Sequence, residues 1–250
     1  MTTPSKIALG VLVLVWLIGG ILIATRQQQP SPLPQTAQNT ENQTHAEPLV
    51  PALPPETARL FERLAMNIDS DIPTLKADTL AEYNKPETTE KIRQALTDPK
   101  TEPEATNAAL NLIYRKNDVA SFKQELINIE KSNKAESKTT AASLLMSLPG
   151  RDGIDTVSKY STAENDELRQ AAIHAAAQRS DAESLKMTVP LLIAALSDNQ
   201  PLIRKIAINA IKKISGKPFD NYQYGKPSED NAAAIADVRA WATGAGYAVR

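Results

Sequence analysis

The sequence predicts an all-α chain: an α-solenoid of about four two-helix repeats with capping helices, preceded by one transmembrane helix. Three observations predict it. An uncharged apolar run lies near the amino terminus, helical apolar stripes follow one another after residue 56 with no alternating strand pattern, and one motif recurs at spacings of 32, 31 and 35 residues. Composition agrees. Aromatic residues make up 4% and glycines number 9, while alanine and leucine are abundant, which favours helices packed through small side chains over a sheet.

The first element is the run from Ile7 to Ala24, 18 residues without charge, which at 1.5 Å per residue reaches across about 27 Å of hydrocarbon. It predicts a span over 7–25 after a short amino-terminal segment, 1–6. A cleaved signal peptide has a shorter apolar region and a small-x-small cleavage site, whereas Leu22 stands two residues before Ala24. Lys6 precedes the span and Arg26 follows it, with the next cation at Arg59. Together with the amino terminus, this bias predicts a single-pass inner-membrane protein, N-in, with its C-terminal domain periplasmic; the alternative orientation makes it a cytoplasm-facing adaptor. Residues 26–55 hold Pro30, Pro32, Pro34, Pro48, Pro51, Pro54 and Pro55 among Gln, Thr, Asn and Ser. A segment of that composition buries too little to offset its ordering entropy, so a disordered tether is expected, reaching about 30 Å as a coil and about 90 Å as polyproline II.

Residues 56–85 are read as capping helices and 86–216 as repeats. The clearest helix is 202–214, where Ile203, Ile206, Ala207, Ala210, Ile211 and Ile214 form one stripe and Arg204, Lys205, Asn209, Lys212 and Lys213 face water. Its predecessor is placed at 189–196, with Thr188 as N-cap and Pro190 in the first turn. Capping boxes are read at Thr101 with Glu104 and at Ser180 with Glu183. The recurring motif aligns Arg204, Ala207 and Ala210 with Arg169, Ala172 and Ala175, then with Lys138, Ala141 and Leu144, and with Thr106, Ala109 and Leu112. Stacked helix layers approach closely only where one contributes a small side chain, and one two-helix unit cannot bury both its faces, so units must pile up.

The stretch Leu196, Ser197, Asp198, Asn199, Gln200, Pro201, Leu202, Ile203, Arg204, Lys205, Ile206, Ala207, Ile208, Asn209, Ala210 and Ile211 resembles the core of a HEAT repeat. The period is shorter than the usual one and is similar to the short HEAT-like repeats of the phycobilisome-lyase type. The likeness is clearest over 152–216 and fainter over 86–149. It implies that the Asp198 and Arg204 types bridge neighbouring units, although only the last unit has both and Ala163 stands six residues before Arg169. It further implies that second helices line a binding face, so that Arg169, Gln170 and His174 stack on Arg204, Lys205 and Asn209 as a candidate partner-binding strip. After the repeats, 217–250 is read as an aromatic loop with Phe219, Tyr222 and Tyr224, then a final helix at 229–243 bearing Trp241. These four aromatics are either a ligand-contacting patch or a cap over the open end of the stack, and a cap is what every stack needs.

Charge and side-chain chemistry exclude several classes. Lysine plus arginine (28) nearly cancels aspartate plus glutamate (29), leaving no field to draw in nucleic acid. There is no cysteine, and the two histidines, His45 and His174, have no histidine partner at helical spacing. His174 is followed by Ala175 and lacks the His-Glu pairing of metal-binding HEAT hydroxylases. No nucleophile, base and orienter set stands out, and no glycine-rich phosphate loop. The expectation is therefore a membrane-anchored, non-enzymatic scaffold for protein partners, with no cofactor, metal or small-molecule substrate. An enzyme or chromophore-binding protein on the lyase-like scaffold is the alternative.

Overall fold

In the computed structural model the described residues are 53–132 and 135–249. Among them are eleven α-helices and two short 3-10 turns, and no strand. The helices are α1 (Glu56–Asn67), α2 (Pro73–Tyr83), α3 (Pro86–Thr97), α4 (Pro103–Lys116), α5 (Lys123–Lys131), α6 (Ala135–Ser147), α7 (Gly150–Tyr160), α8 (Asp166–Ala177), α9 (Ala182–Ala195), α10 (Pro201–Ser215) and α11 (Ala232–Gly244). The 3-10 turns, Val119–Phe122 and Glu229–Asn231, lead into α5 and α11.

Local chemistry sets where these helices begin and end. Proline opens α2, α3, α4 and α10, where its missing N–H is one that a helix leaves unpaired anyway. Asn165 caps α8 by accepting from the Leu168 N–H at 2.9 Å, and Asp181 caps α9 by accepting from the Ser184 N–H at 2.8 Å. At the other ends, Asn117 and Gly216 take the left-handed conformation that stops α4 and α10.

The caps differ from the two capping boxes read in the sequence. Before α4 the N-cap is Glu102, because Pro103 holds its predecessor in extended backbone, and Thr101 turns its hydroxyl to the Gln94 carbonyl. Before α9 the cap is Asp181, one residue beyond Ser180. Helix α9 also starts well before Thr188 and runs through Pro190. Thr188 is fully buried and donates to the Ser184 carbonyl at 3.0 Å, so it is an interior residue. The proline removes one helical hydrogen bond, yet burial of Val189, Leu192 and Ile193 holds the helix continuous.

Packing is a ladder of helix pairs. The units α3–α4, α5–α6, α7–α8 and α9–α10 each close internally; α4, α6, α8 and α10 pack successively as one layer, begun by α1 against α4. In the other layer α3 meets α5, α7 meets α9, and α11 continues beyond α9. The arrangement is consistent with an α-solenoid. The middle alanine of the recurring motif shows why the second helices sit so close: Ala109, Ala141, Ala172 and Ala207 are each 0% exposed. Two apolar clusters form. One gathers residues from Phe61 to Leu148, the other residues from Ala142 to Ala242, and α6 contributes to both, Ala141, Leu144 and Leu145 to the first and Ala142 and Met146 to the second.

The membrane part of the expected fold and location does not stand. No helix among the described residues is long and apolar enough to cross a membrane. The expected span at 7–24 and most of the tether lie outside the described residues. An apolar run in a sequence is a statement about composition, and by itself it does not make a spanning helix. The single-pass, inner-membrane, periplasm-facing reading is therefore set aside, and what stands is the all-helical stack.

Candidate functional site

The two arginines of the expected strip point inward. Arg169, on the first half of α8, is 9% exposed; its Nε and Nη2 donate to the Asp198 carboxylate at 2.7 and 3.3 Å, and Nη2 also reaches Asp166 Oδ1 at 2.6 Å and Asn199 Oδ1 at 2.9 Å. Its Nη1 donates to the carbonyls of Ala163 at 2.6 Å and Glu164 at 3.3 Å, six and five residues back. Arg204 repeats the device one unit later. It is 5% exposed, and its Nη1 donates to the carbonyls of Asp198 at 2.6 Å and Asn199 at 3.1 Å, again six and five residues back.

The two then diverge in what lies ahead of them. Arg169 finds the Asp198 carboxylate of the next unit, whereas Arg204, with no further unit to meet, donates Nε to the Tyr224 carbonyl at 2.9 Å. Asp166 Oδ2 accepts from Gln200 Nε2 at 2.6 Å and Asp198 Oδ1 accepts from the Gln200 N–H at 2.8 Å, so the polar chain runs unbroken from α8 to the carboxyl-terminal loop. The hydrogen bond to the Asp198 carboxylate, opposed by burial, holds the Arg169 guanidinium above its ordinary range. Neither arginine is placed to meet a partner. The bridge between neighbouring units implied for the Asp198 and Arg204 types is made by the Asp198 carboxylate with Arg169, while Arg204 takes Asp198's carbonyl within its own unit.

Asp166, Asn199 and Gln200 were not singled out by the sequence reading. Their signal is present but local: an acid three residues before Arg169, and two amides following Asp198. The carbonyl acceptors at 163 and 164 have no sequence signal at all, since a carbonyl is there whatever the side chain. That is why Ala163 serves where the repeat pattern has aspartate.

The remaining strip residues face outward in register. With Arg169 and Arg204 as equivalents, Gln170 aligns with Lys205, His174 with Asn209, and Gln178 with Lys213, on two helices packed as neighbours. Lys205, Asn209 and Lys213 are exposed, and Gln170 and His174 are half-buried. Leu202, at the start of the same α10 face, is 48% exposed. Burial lowers the His174 imidazole below its ordinary value of 6.5.

The four aromatics separate by role. Tyr222 is buried, and its hydroxyl donates to the Leu196 carbonyl at 2.6 Å, closing the end of α9; burial raises that hydroxyl to about 12. Asn231 pins the loop by accepting from the Gln223 N–H at 2.7 Å and donating to the carbonyls of Gln223 and Pro227. Phe219 and Trp241 meet edge to face at 6.1 Å, with Tyr247 beside Trp241 at 5.7 Å, and a shallow open groove runs along Lys217, Phe219, Asp237 and Trp241. Tyr224 is 44% exposed and lies under the Lys205 ammonium at 5.5 Å. Tyr222 and Asn231 thus make the loop a cap, and only Tyr224 joins the outward strip. Among the described residues no group of three or more His, Cys, Asp or Glu side chains is placed to hold a metal ion.

No curated protein matches the chain. Residues 154–222 match the family model described as HEAT repeats, covering α7 to α10 and the loop through Tyr222. The match does not separate the short, phycobilisome-lyase-like kind from other HEAT repeats. This stretch of the chain is similar to HEAT repeats, which supports a protein-interaction scaffold.

Proposed function

We propose that the chain is a non-enzymatic scaffold that binds protein partners on the outward face of α8 and α10, with Gln170, His174, Lys205, Asn209 and Tyr224 as contact residues. The observation that carries this reading is the register of that face. The buried arginine clasps fix two neighbouring helices so that their exposed residues stand in matched rungs, beside the uncovered Leu202. Lys205 and Lys213 form no ion pair among the described residues, so their charges are open to a partner, and Lys205 already rests on an aromatic ring. Exposed apolar and aromatic surface ringed by polar groups is the composition of a protein interface. The buried Asp198 carboxylate is committed to Arg169 and the Arg204 guanidinium to main-chain carbonyls, which favours binding over catalysis.

A photoreactive amino acid at Asn209, with a second placed at Lys186 on α9 as control, tests the face in intact cells. Adducts of defined mass are expected from 209 and not from 186. Combining Lys205→Glu with Lys213→Glu is expected to weaken the interaction about tenfold or more, corresponding to about 1.4 kcal/mol. Adducts from 186 alone, or adducts from 209 undiminished by the charge reversals, overturn the assignment of this face.

A further inference from the structure

Three candidates stand outside the site just described: the aromatic groove at Trp241, the exposed Met66 and Ile72 at the α1–α2 turn, and the junction between α5 and α7. The first two are apolar surface with nothing that specifies an occupant. The junction carries more.

Everywhere else in its layer, neighbouring helices share one apolar cluster: α3 with α5 in the first, α7 with α9 and α11 in the second. Between α5 and α7 this continuity stops. Phe122, Leu126 and Ile129 belong to the first cluster, while Val157 and Tyr160 belong to the second. The side-chain hydrogen bonds and ion pairs that span the junction lie beside the buried Ile154 of α7, which belongs to neither cluster. The Glu130 carboxylate, 5% exposed, accepts from the Lys159 ammonium and from the Tyr160 hydroxyl, and at the other end Lys123 pairs with Asp152 at 2.6 Å. The opposite layer is closed tightly at the same level. Arg179, just past the end of α8, donates to the carbonyls of Met146 and Leu148 at the end of α6, at 2.6 and 2.9 Å.

We infer that the α5–α7 junction is a latched hinge, at which the stack opens by pivoting about α6 and α8 when the Glu130 and Lys123 contacts release. An apolar interface resists separation because it exposes oil to water, whereas the Lys123–Asp152 pair is already solvated and the buried Glu130 recovers on release the hydration that its burial removed. The partner face on α8 and α10 lies wholly in the second half, so pivoting would reorient it relative to α1–α5 without disturbing its rungs. The inference stands whether or not that face binds the partner.

The chain has no cysteine, so paired spin labels report only from introduced sites. Labels at Asn128→Cys and Asp155→Cys span the junction, and labels at Asp155→Cys and Lys186→Cys stay within the second half. In the full-length chain, Glu130→Gln combined with Lys123→Ala is expected to broaden and lengthen the first distance distribution and leave the second unchanged. Tyr160→Phe, which keeps the ring and removes one donor, is expected to do the same in smaller measure, and it carries the test if the double variant does not fold. An unchanged first distribution in the variants overturns the hinge, as does equal broadening of both.

Discussion

Arg169 is a charged side chain used as a structural bolt. It and Asp198 are both about 10% exposed at the side chain, so removing one strands the other in a poorly solvated site. Arg169→Ala is expected to cost about 3–5 kcal/mol in chemical denaturation. Arg169→Lys should recover only part of this, because an ammonium cannot serve both the Asp198 carboxylate and the carbonyls at 163 and 164. His174 makes a separate prediction. Its folded value is depressed by burial, so at low pH the unfolded chain takes up the proton more readily than the folded one. Stability from this residue is therefore present above about pH 6.5 and is lost as pH falls through the folded value. Denaturation midpoints measured from pH 7.5 to 5 should decline in the native chain, and His174→Gln should flatten that part of the decline.

At the scale of the helix, the alanine column controls spacing. Ala172 stands between α8 and its neighbours with no exposed surface, so Ala172→Leu must push layers apart or force strained rotamers, at about 1–3 kcal/mol. Thermal unfolding of that variant beside Ala175→Leu, a half-buried position on the same helix, should show a clearly larger loss at 172. This column was legible in the sequence because alanine at fixed offsets is unusual on a stripe otherwise filled by isoleucine and leucine. The α10 stripe was equally plain: the periodicity over 202–214 corresponds to Pro201–Ser215 in the structure. Helix starts were harder. At α4 and α9 several capping residues crowd together, and a proline or the geometry of the preceding loop selects among them. Helix α9 misled for a further reason: Pro190 ordinarily marks a boundary, but buried neighbours on both sides outweigh one lost hydrogen bond.

For the whole molecule, the sequence conveyed a stack of paired helices but not its division. The two apolar clusters and the polar junction between them depend on which helices become neighbours, and neither Glu130 nor Tyr160 carries a local pattern that announces its partner 30 residues away. The candidate strip was legible in part. Its outward members follow from the resemblance to HEAT repeats and the register of the recurring motif, while Arg169 and Arg204 share that register and turn inward, because two carbonyls behind each of them and an acceptor ahead outcompete water. The aromatic loop reads as one feature in sequence and separates in space into a plug, an edge cluster and one surface ring.

The matching clasps also bear on how such a chain changes length. Each arginine grips the loop behind it in the same manner, and only the forward acceptor differs, a carboxylate for Arg169 and a main-chain oxygen for Arg204. A duplicated module inserted after Gly216 and bringing its own aspartate would meet a guanidinium already aimed at it, while excising one would let the terminal loop dock on the donor left behind. The row can thus be lengthened or trimmed one module at a time with the hydrogen bonds of the terminal guanidinium kept, since main-chain oxygens serve where a carboxylate is missing.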